Sequence, residues 1–128
     1  MKKVLIADDN KNHQLFLSVI LQKYFDCDIL TADNGTDTLN SIQHNNPDLL
    51  LLDIGMPGLD GIQVLERLRL NFNDSLLPVI IISGYDERSV LYKLLALGIS
   101  DFLKKPMNIF SIYQKVRKHI PSLNLMEA

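Results

Sequence analysis

The stretch "LLLLDIGMPGLDG" at residues 49–61 runs four leucines into Asp53 and then crosses three glycines and a proline. A half-exposed strand alternates apolar with polar residues. A short unbroken aliphatic run closed by turn residues reads instead as a strand covered on both faces. Two more runs share this character, "VLIA" at 4–7 and "VIII" at 79–82, and "CDILTA" (27–32) and "DFLK" (101–104) are weaker candidates. Between them lie helical patterns. Phe16, Val19, Ile20 and Tyr24 follow 3.6-residue spacing after N-cap candidates at 10–12, and residues 36–45 carry Leu39 and Ile42 and stop before Asn46-Pro47. Residues 61–70 align Ile62, Leu65 and Leu68, and residues 86–97 run from Asp86 to a closing Gly98. Residues 107–119 carry Ile109, Ile112, Tyr113 and Val116 ahead of Pro121. Five β-α repeats predict an α/β fold, a parallel sheet with helices on both faces.

At 128 residues and 47% hydrophobic content the chain reads as one domain with a real core. Its net charge of −2 gives no general attraction to nucleic acid or anionic lipid. No secretory signal pattern and no run of ~20 apolar residues appear, so a cytoplasmic protein without membrane insertion is expected. Cys27 is the only cysteine and reads as a small core residue. The seven residues "SLNLMEA" (122–128) read as a short tail after a domain of residues 1–121.

Chemistry gathers where the strands end. Asp8 and Asp9 follow the first run, Asp53 the third, Ser83 and Gly84 the fourth, and Lys104, Lys105 and Pro106 the last. In a parallel sheet these positions share one edge, the carboxyl edge, where open α/β sheets bind ligands. Singly, each is an ordinary cap, turn or surface loop; their conjunction points to a pocket. Two carboxylates ~4 Å apart repel by about 4 kcal/mol at an effective dielectric of ~20. A divalent cation relieves that repulsion, and an all-oxygen set suits Mg²⁺, with Mn²⁺ as a substitute. Mg²⁺ on carboxylates commonly shares its sphere with phosphate, for which Lys105 and Ser83 supply donors.

The motifs "ADD" (7–9), "LLLLDIGMPGLDG" (49–61), "IISG" (81–84) and "KKP" (104–106) closely resemble the receiver domain of two-component response regulators, the CheY-like superfamily. The resemblance covers about residues 2–120. It implies a flavodoxin-like, doubly wound five-stranded sheet in the order 2-1-3-4-5 with five helices. It also implies that Asp53 is the phosphoacceptor, taking its phosphoryl group from a sensor histidine kinase, a phosphotransfer protein or a small phosphodonor. Asp8, Asp9, Asp53 and the backbone carbonyl of Gly55 would hold Mg²⁺; Ser83 and Lys105 would contact the phosphoryl oxygens. Phe102 would be the switch aromatic, and Pro106 would follow a cis peptide bond. Gly55 and Tyr85 occupy positions that tune the phosphoryl lifetime in this family.

Such a domain is a phosphorylated binding module that catalyses only its own phosphorylation and dephosphorylation. The alternative is a small Mg²⁺-dependent aspartyl-phosphate phosphatase or phosphotransferase. That class usually places a second aspartate two residues after the nucleophile, where this chain has Gly55. A nucleotide- or flavin-binding domain would want a glycine-rich loop after the first strand, where Asp8, Asp9 and Asn10 stand. The helix at 86–97 carries Val90, Leu91, Leu94, Leu95 and Leu97 around more of its circumference than one buried face needs. It is either packed in a crease or exposes apolar residues to a downstream protein or a phosphorylation-dependent dimer, on a helix 4–strand 5–helix 5 face that is not expected to bind nucleic acid directly. Lys115, Arg117, Lys118 and His119 at the last helix end read either as helix-dipole partners or as a binding patch. His13, His44 and His119 lack metal-type partners at helical spacing and read as surface residues.

Overall fold

The computed structural model describes residues 1–56, 58–70, 76–84 and 88–123, with side chains omitted at 88, 89 and 91. Five strands, β1 (Lys2–Ala7), β2 (Cys27–Ala32), β3 (Leu49–Asp53), β4 (Val79–Ser83) and β5 (Asp101–Lys104), alternate with five helices. The helices are α1 (Lys11–Tyr24), α2 (Gly35–Asn45), α3 (Gly61–Leu70), α4 (Arg88–Leu97) and α5 (Ile109–Val116). The strands form one parallel sheet in the order β2-β1-β3-β4-β5, as the resemblance implies.

The four leucines are explained by the pleat. Successive side chains point to opposite faces of a strand. Leu49 and Leu51 join Val4, Ile6, Ile80 and Ile82 in a core closed by Leu17, Ile20 and Leu21 of α1 and Ile112, Tyr113 and Val116 of α5. Leu50 and Leu52 join Leu5, Ala7, Val79 and Ile81 in a second core closed by Ile42 of α2, Val64, Leu65 and Leu68 of α3 and Leu94 of α4. Both faces are buried, so the run stays apolar until the strand reaches Asp53. Burying one leucine is worth about 1.5–3 kcal/mol, which makes the β3 run a large local contribution.

Helix boundaries follow local capping. Asn10 accepts from the Asn12 and His13 N–H groups, Asn34 from Asp37 and Asn108 from Ser111. Asn46 ends α2 in the left-handed region at φ 48°, and Gly98 follows α4 at φ 84°. Two expectations need adjusting. In α1 the buried stripe is Gln14, Leu17, Ile20 and Leu21, while Phe16 and Val19 face solvent. The segment 15–21 is apolar enough to offer two stripes, and the strand positions select one. In α5 the helix ends at Val116 and Ile109 is exposed. The start of α4 expected at Asp86 lies outside the described residues.

Gly61 shows how tightly α3 meets the sheet. A Cβ there would lie 2.5 Å from Ile54 Cα and 2.8 Å from the Asp53 carbonyl oxygen. At the opposite edge Arg69 of α3 reaches across to the end of α4. Its guanidinium donates to the carbonyls of Leu97 (3.0 Å), Gly98 (2.6 Å) and Leu77 (3.0 Å). Residues Ser122 and Leu123 pair with the end of α1: Leu123 N–H donates to Tyr24 O at 2.7 Å, and Ser122 bridges Phe25. Residues 124–128 of the expected tail lie outside the described residues.

Candidate functional site

Each polar residue picked out at a strand end sits at the carboxyl edge, and its element explains its placement. Asp8 follows β1 directly and is fully buried, while Asp9 beside it is exposed. Asp53 and Ser83 are the last residues of β3 and β4, exposed by only 6% and 2%. Lys105 follows β5 and is fixed by its N–H donating to Ser83 O at 2.8 Å, ahead of the cis Lys105–Pro106 bond. Asp53, Gly55, Ser83, Gly84 and Lys105 line one cleft together with Asp9.

The carboxylate oxygens of Asp8, Asp9 and Asp53 lie within 4.8 Å of one another. Against these three charges stands one ammonium. Lys105 Nζ is 2.8 Å from Asp53 Oδ2 and 3.8 Å from Asp8 Oδ2. The other Asp53 oxygen accepts the Gly55 N–H at 2.9 Å. Burial lifts the Asp8 carboxyl above the ordinary carboxylate value; the Asn10 N–H opposes the rise, and the Asp53 charge adds to it. Asp8 Oδ1 takes that Asn10 N–H at 2.9 Å. Asp8 Oδ2 is enclosed and has no hydrogen-bond partner. A buried anionic oxygen without a donor is expensive, and beside two further carboxylates it is what a cation seat looks like before the cation is counted. The donor set fits a hard divalent ion.

One expected participant stands apart from the cleft. Phe102 lies on β5, half-buried against the core under α3 and α4, with its carbonyl accepting from Lys115 Nζ. Tyr85 lies outside the described residues. Lys104 points to solvent, so of the two adjacent lysines only Lys105 belongs to the cleft.

One residue expected at the surface is half-buried and lies at the cleft rim. His13 lines the cleft, and its Nδ1 sits 3.4 Å from Asp8 Oδ2. The usable signal was its distance from the acidic pair. A helix starting two residues after Asp9 puts its first turn at the cleft rim, whatever the helical spacing of histidines. His44 is exposed and His119 half-buried, both remote from this edge of the sheet. Gln14, one turn into α1, is buried and donates to the Asp8 carbonyl and to Asp33 Oδ1, tying α1 to the ends of β1 and β2.

The family described as response regulator receiver domain matches residues 4–117. The chain is 32% identical over 120 residues to sporulation initiation phosphotransferase F of Bacillus subtilis, spanning 94% of each protein. It is 31% identical over 126 residues to protein PilG of Pseudomonas aeruginosa, covering 98% of this chain and 93% of that one. In fold it is similar to chemotaxis protein CheY4 of Vibrio cholerae, with a TM-score of 0.86 at 22% identity over 94% of this chain and 99% of that one. Sequence match, strand order and the acidic edge agree: the chain belongs to the response regulator receiver domains of two-component signalling.

Proposed function

We propose that Asp53 is the phosphoacceptor of this receiver domain and that its modification is read out at the α4–β5–α5 face. The observation that carries the reading is the meeting of Asp53 with Lys105, Ser83 and two further carboxylates at one edge of the sheet. In the transfer, an Asp53 oxygen bonds to phosphorus while the bond from phosphorus to the donor breaks. With a phosphohistidine donor the departing imidazole nitrogen takes up a proton. Both Asp53 oxygens are engaged beforehand, by Gly55 N–H and by Lys105. Lys105 therefore exchanges its carboxylate partner for a phosphoryl oxygen as the new bond forms, keeping its charge on the group that gains it. Ser83 presents its hydroxyl from the end of β4. Asp8, Asp9, Asp53 and the Gly55 carbonyl would hold Mg²⁺ or Mn²⁺, which when bound neutralises charge on the phosphoryl oxygens.

The domain turns over no outside substrate on this reading. The alternative phosphatase lacks its acid/base residue, since Gly55 carries no side chain. The donor is a sensor histidine kinase or phosphotransfer protein, and the receiving partner is a protein or a second copy of the chain. Tyr92 and Leu95 of α4 are exposed at 76% and 56%, and Phe102 sits half-buried beneath that side, so apolar surface is already presented where Ser83 and Phe102 can act together. A cytoplasmic location suits this role; among the described residues no helix is long and apolar enough to cross a membrane. The receiver is assigned to residues 1–121 and the remainder, 122–128, to a tail.

Incubation with acetyl phosphate and Mg²⁺, read by intact mass, tests the reading. Wild-type protein gains one phosphoryl group, and Asp53→Asn gains none. A phosphoryl group found on another residue, or a gain that survives Asp53→Asn, overturns it.

A further inference from the structure

The proposed function leaves one of two buried polar atoms beside the cleft, His13 Nδ1, without a part in the chemistry. Asp8 Oδ2 and His13 Nδ1 are both enclosed, and neither has a hydrogen-bond partner. They face each other at 3.4 Å, beyond good hydrogen-bond length. Asp8 itself is fully buried, so its second oxygen is an unsatisfied acceptor that solvent does not reach. His13 is held in place by its backbone: its N–H donates to the Asn10 side chain at 3.2 Å in the first turn of α1. Its ring is partly exposed along one edge while Nδ1 is enclosed, so the nitrogen that faces Asp8 is the one turned away from water.

A cation satisfies both atoms at once. Two donors bound to one ion at about 2.1 Å lie roughly 3.0–3.4 Å apart, the longer value belonging to tetrahedral geometry. The observed separation fits within that range. We infer that His13 is a metal-selecting ligand: the cleft offers a nitrogen beside its carboxylates and therefore accepts an imidazole-binding divalent transition metal, of which Zn²⁺ is the probe, in addition to Mg²⁺. This rests on the metal-seat reading above and deepens it. Carboxylate oxygens alone favour Mg²⁺ and its hard relatives, whereas imidazole adds affinity for the later first-row ions and almost none for Mg²⁺. The residue thus sets which ions compete for the seat without changing which carboxylate accepts phosphorus.

The test uses the three histidines of the chain as separate reporters. Zn²⁺ and Mg²⁺ are titrated into the protein, followed by the nitrogen resonances of the imidazoles and by calorimetry. Zn²⁺ shifts Nδ1 of His13 at one equivalent, and Mg²⁺ leaves it in place. His13→Asn keeps an amide N–H near the Nδ1 position but cannot ligate in the same way. It weakens Zn²⁺ about tenfold or more while Mg²⁺ affinity stays within about twofold. A His13 Nδ1 that does not respond to Zn²⁺, with shifts only at His44 or His119, overturns the inference, as does a His13→Asn variant that weakens both ions equally. These outcomes separate it from the underlying reading. Mg²⁺ bound by wild type and lost in Asp8→Asn upholds the seat even when His13 is silent; a wild type that binds neither ion removes the seat and the inference together.

Discussion

At the scale of single residues, Asp8 is a buried carboxylate set behind the cleft. It is fully buried, burial lifts its carboxyl above the ordinary value, and only one of its oxygens has a donor. An asparagine there keeps an acceptor for the Asn10 N–H and removes the charge. Asp8→Asn is expected to raise stability in the absence of divalent ions by about 1 kcal/mol, measured by urea unfolding in EDTA. The same variant should lose the stabilisation that Mg²⁺ gives wild type, about 1.4 kcal/mol at ten times Kd. A variant that is both less stable without ions and still stabilised by them contradicts this account. Asp53, Ser83 and Lys105 were legible from the sequence because each sits at a strand end, where chain direction fixes the location. The place of His13 in the cleft was not, since it depends on where α1 begins rather than on any pattern within the helix. Nor could the sequence show that both Asp53 oxygens carry partners, since that depends on how the Lys105 side chain and the Gly55 backbone are oriented.

At the scale of elements, the strands were the most readable part. β2 and β5 fall on the residues that their sequence suggests, and the aliphatic runs of β1, β3 and β4 each extend by one or two residues. Buried parallel strands have to be apolar on both faces, so their signal has no competitor. Helix faces were less secure. In α1 apolar residues occupy positions 15, 16, 17, 19, 20 and 21, and only packing on the sheet decides that Leu17 and Leu21 go inward while Phe16 and Val19 do not. Two joints between elements have measurable consequences. At Gly61 an alanine Cβ would meet backbone, which cannot swing aside as a side chain can. Gly61→Ala should therefore cost about 2–3 kcal/mol, visible as a lowered urea midpoint with an unchanged slope. At Arg69, removal of the guanidinium strands the carbonyls of Leu77, Leu97 and Gly98. Arg69→Met is expected to lower stability by about 2 kcal/mol, with Arg69→Lys recovering only part, because an ammonium lacks the fork that spans several acceptors.

For the whole molecule, the candidate site residues gather on one edge of the sheet, and a separate acid response is expected from Asp101 on β5. Burial alone would lift the Asp101 carboxyl. The Phe102 N–H at 2.8 Å and Lys115 at 3.4 Å outweigh it, aided by Lys118, and hold it below the ordinary value. The unfolded chain then binds more protons than the folded one between the folded value and about 3.9, so stability rises with pH across that interval. The contribution is complete above about pH 4 and disappears as pH falls through the folded value. Asp101→Asn should accordingly be less stable than wild type at pH 7 and converge on it as pH drops below about 4, as followed by urea unfolding at several pH values. A gap that persists or widens in acid assigns the effect to packing instead.

The Arg69 clasp also gives α4 the mechanics of a lever. Its guanidinium pins the Leu97–Gly98 end, while the helix begins at Arg88, on the chain that follows β4. Ten helical residues make an arm of about 15 Å, so a 10° pivot about that pin carries the far tip through roughly 2.6 Å while the fulcrum hardly travels. Displacement grows along the arm, and Tyr92 near its middle therefore sweeps a longer arc than Leu95 nearer the pin.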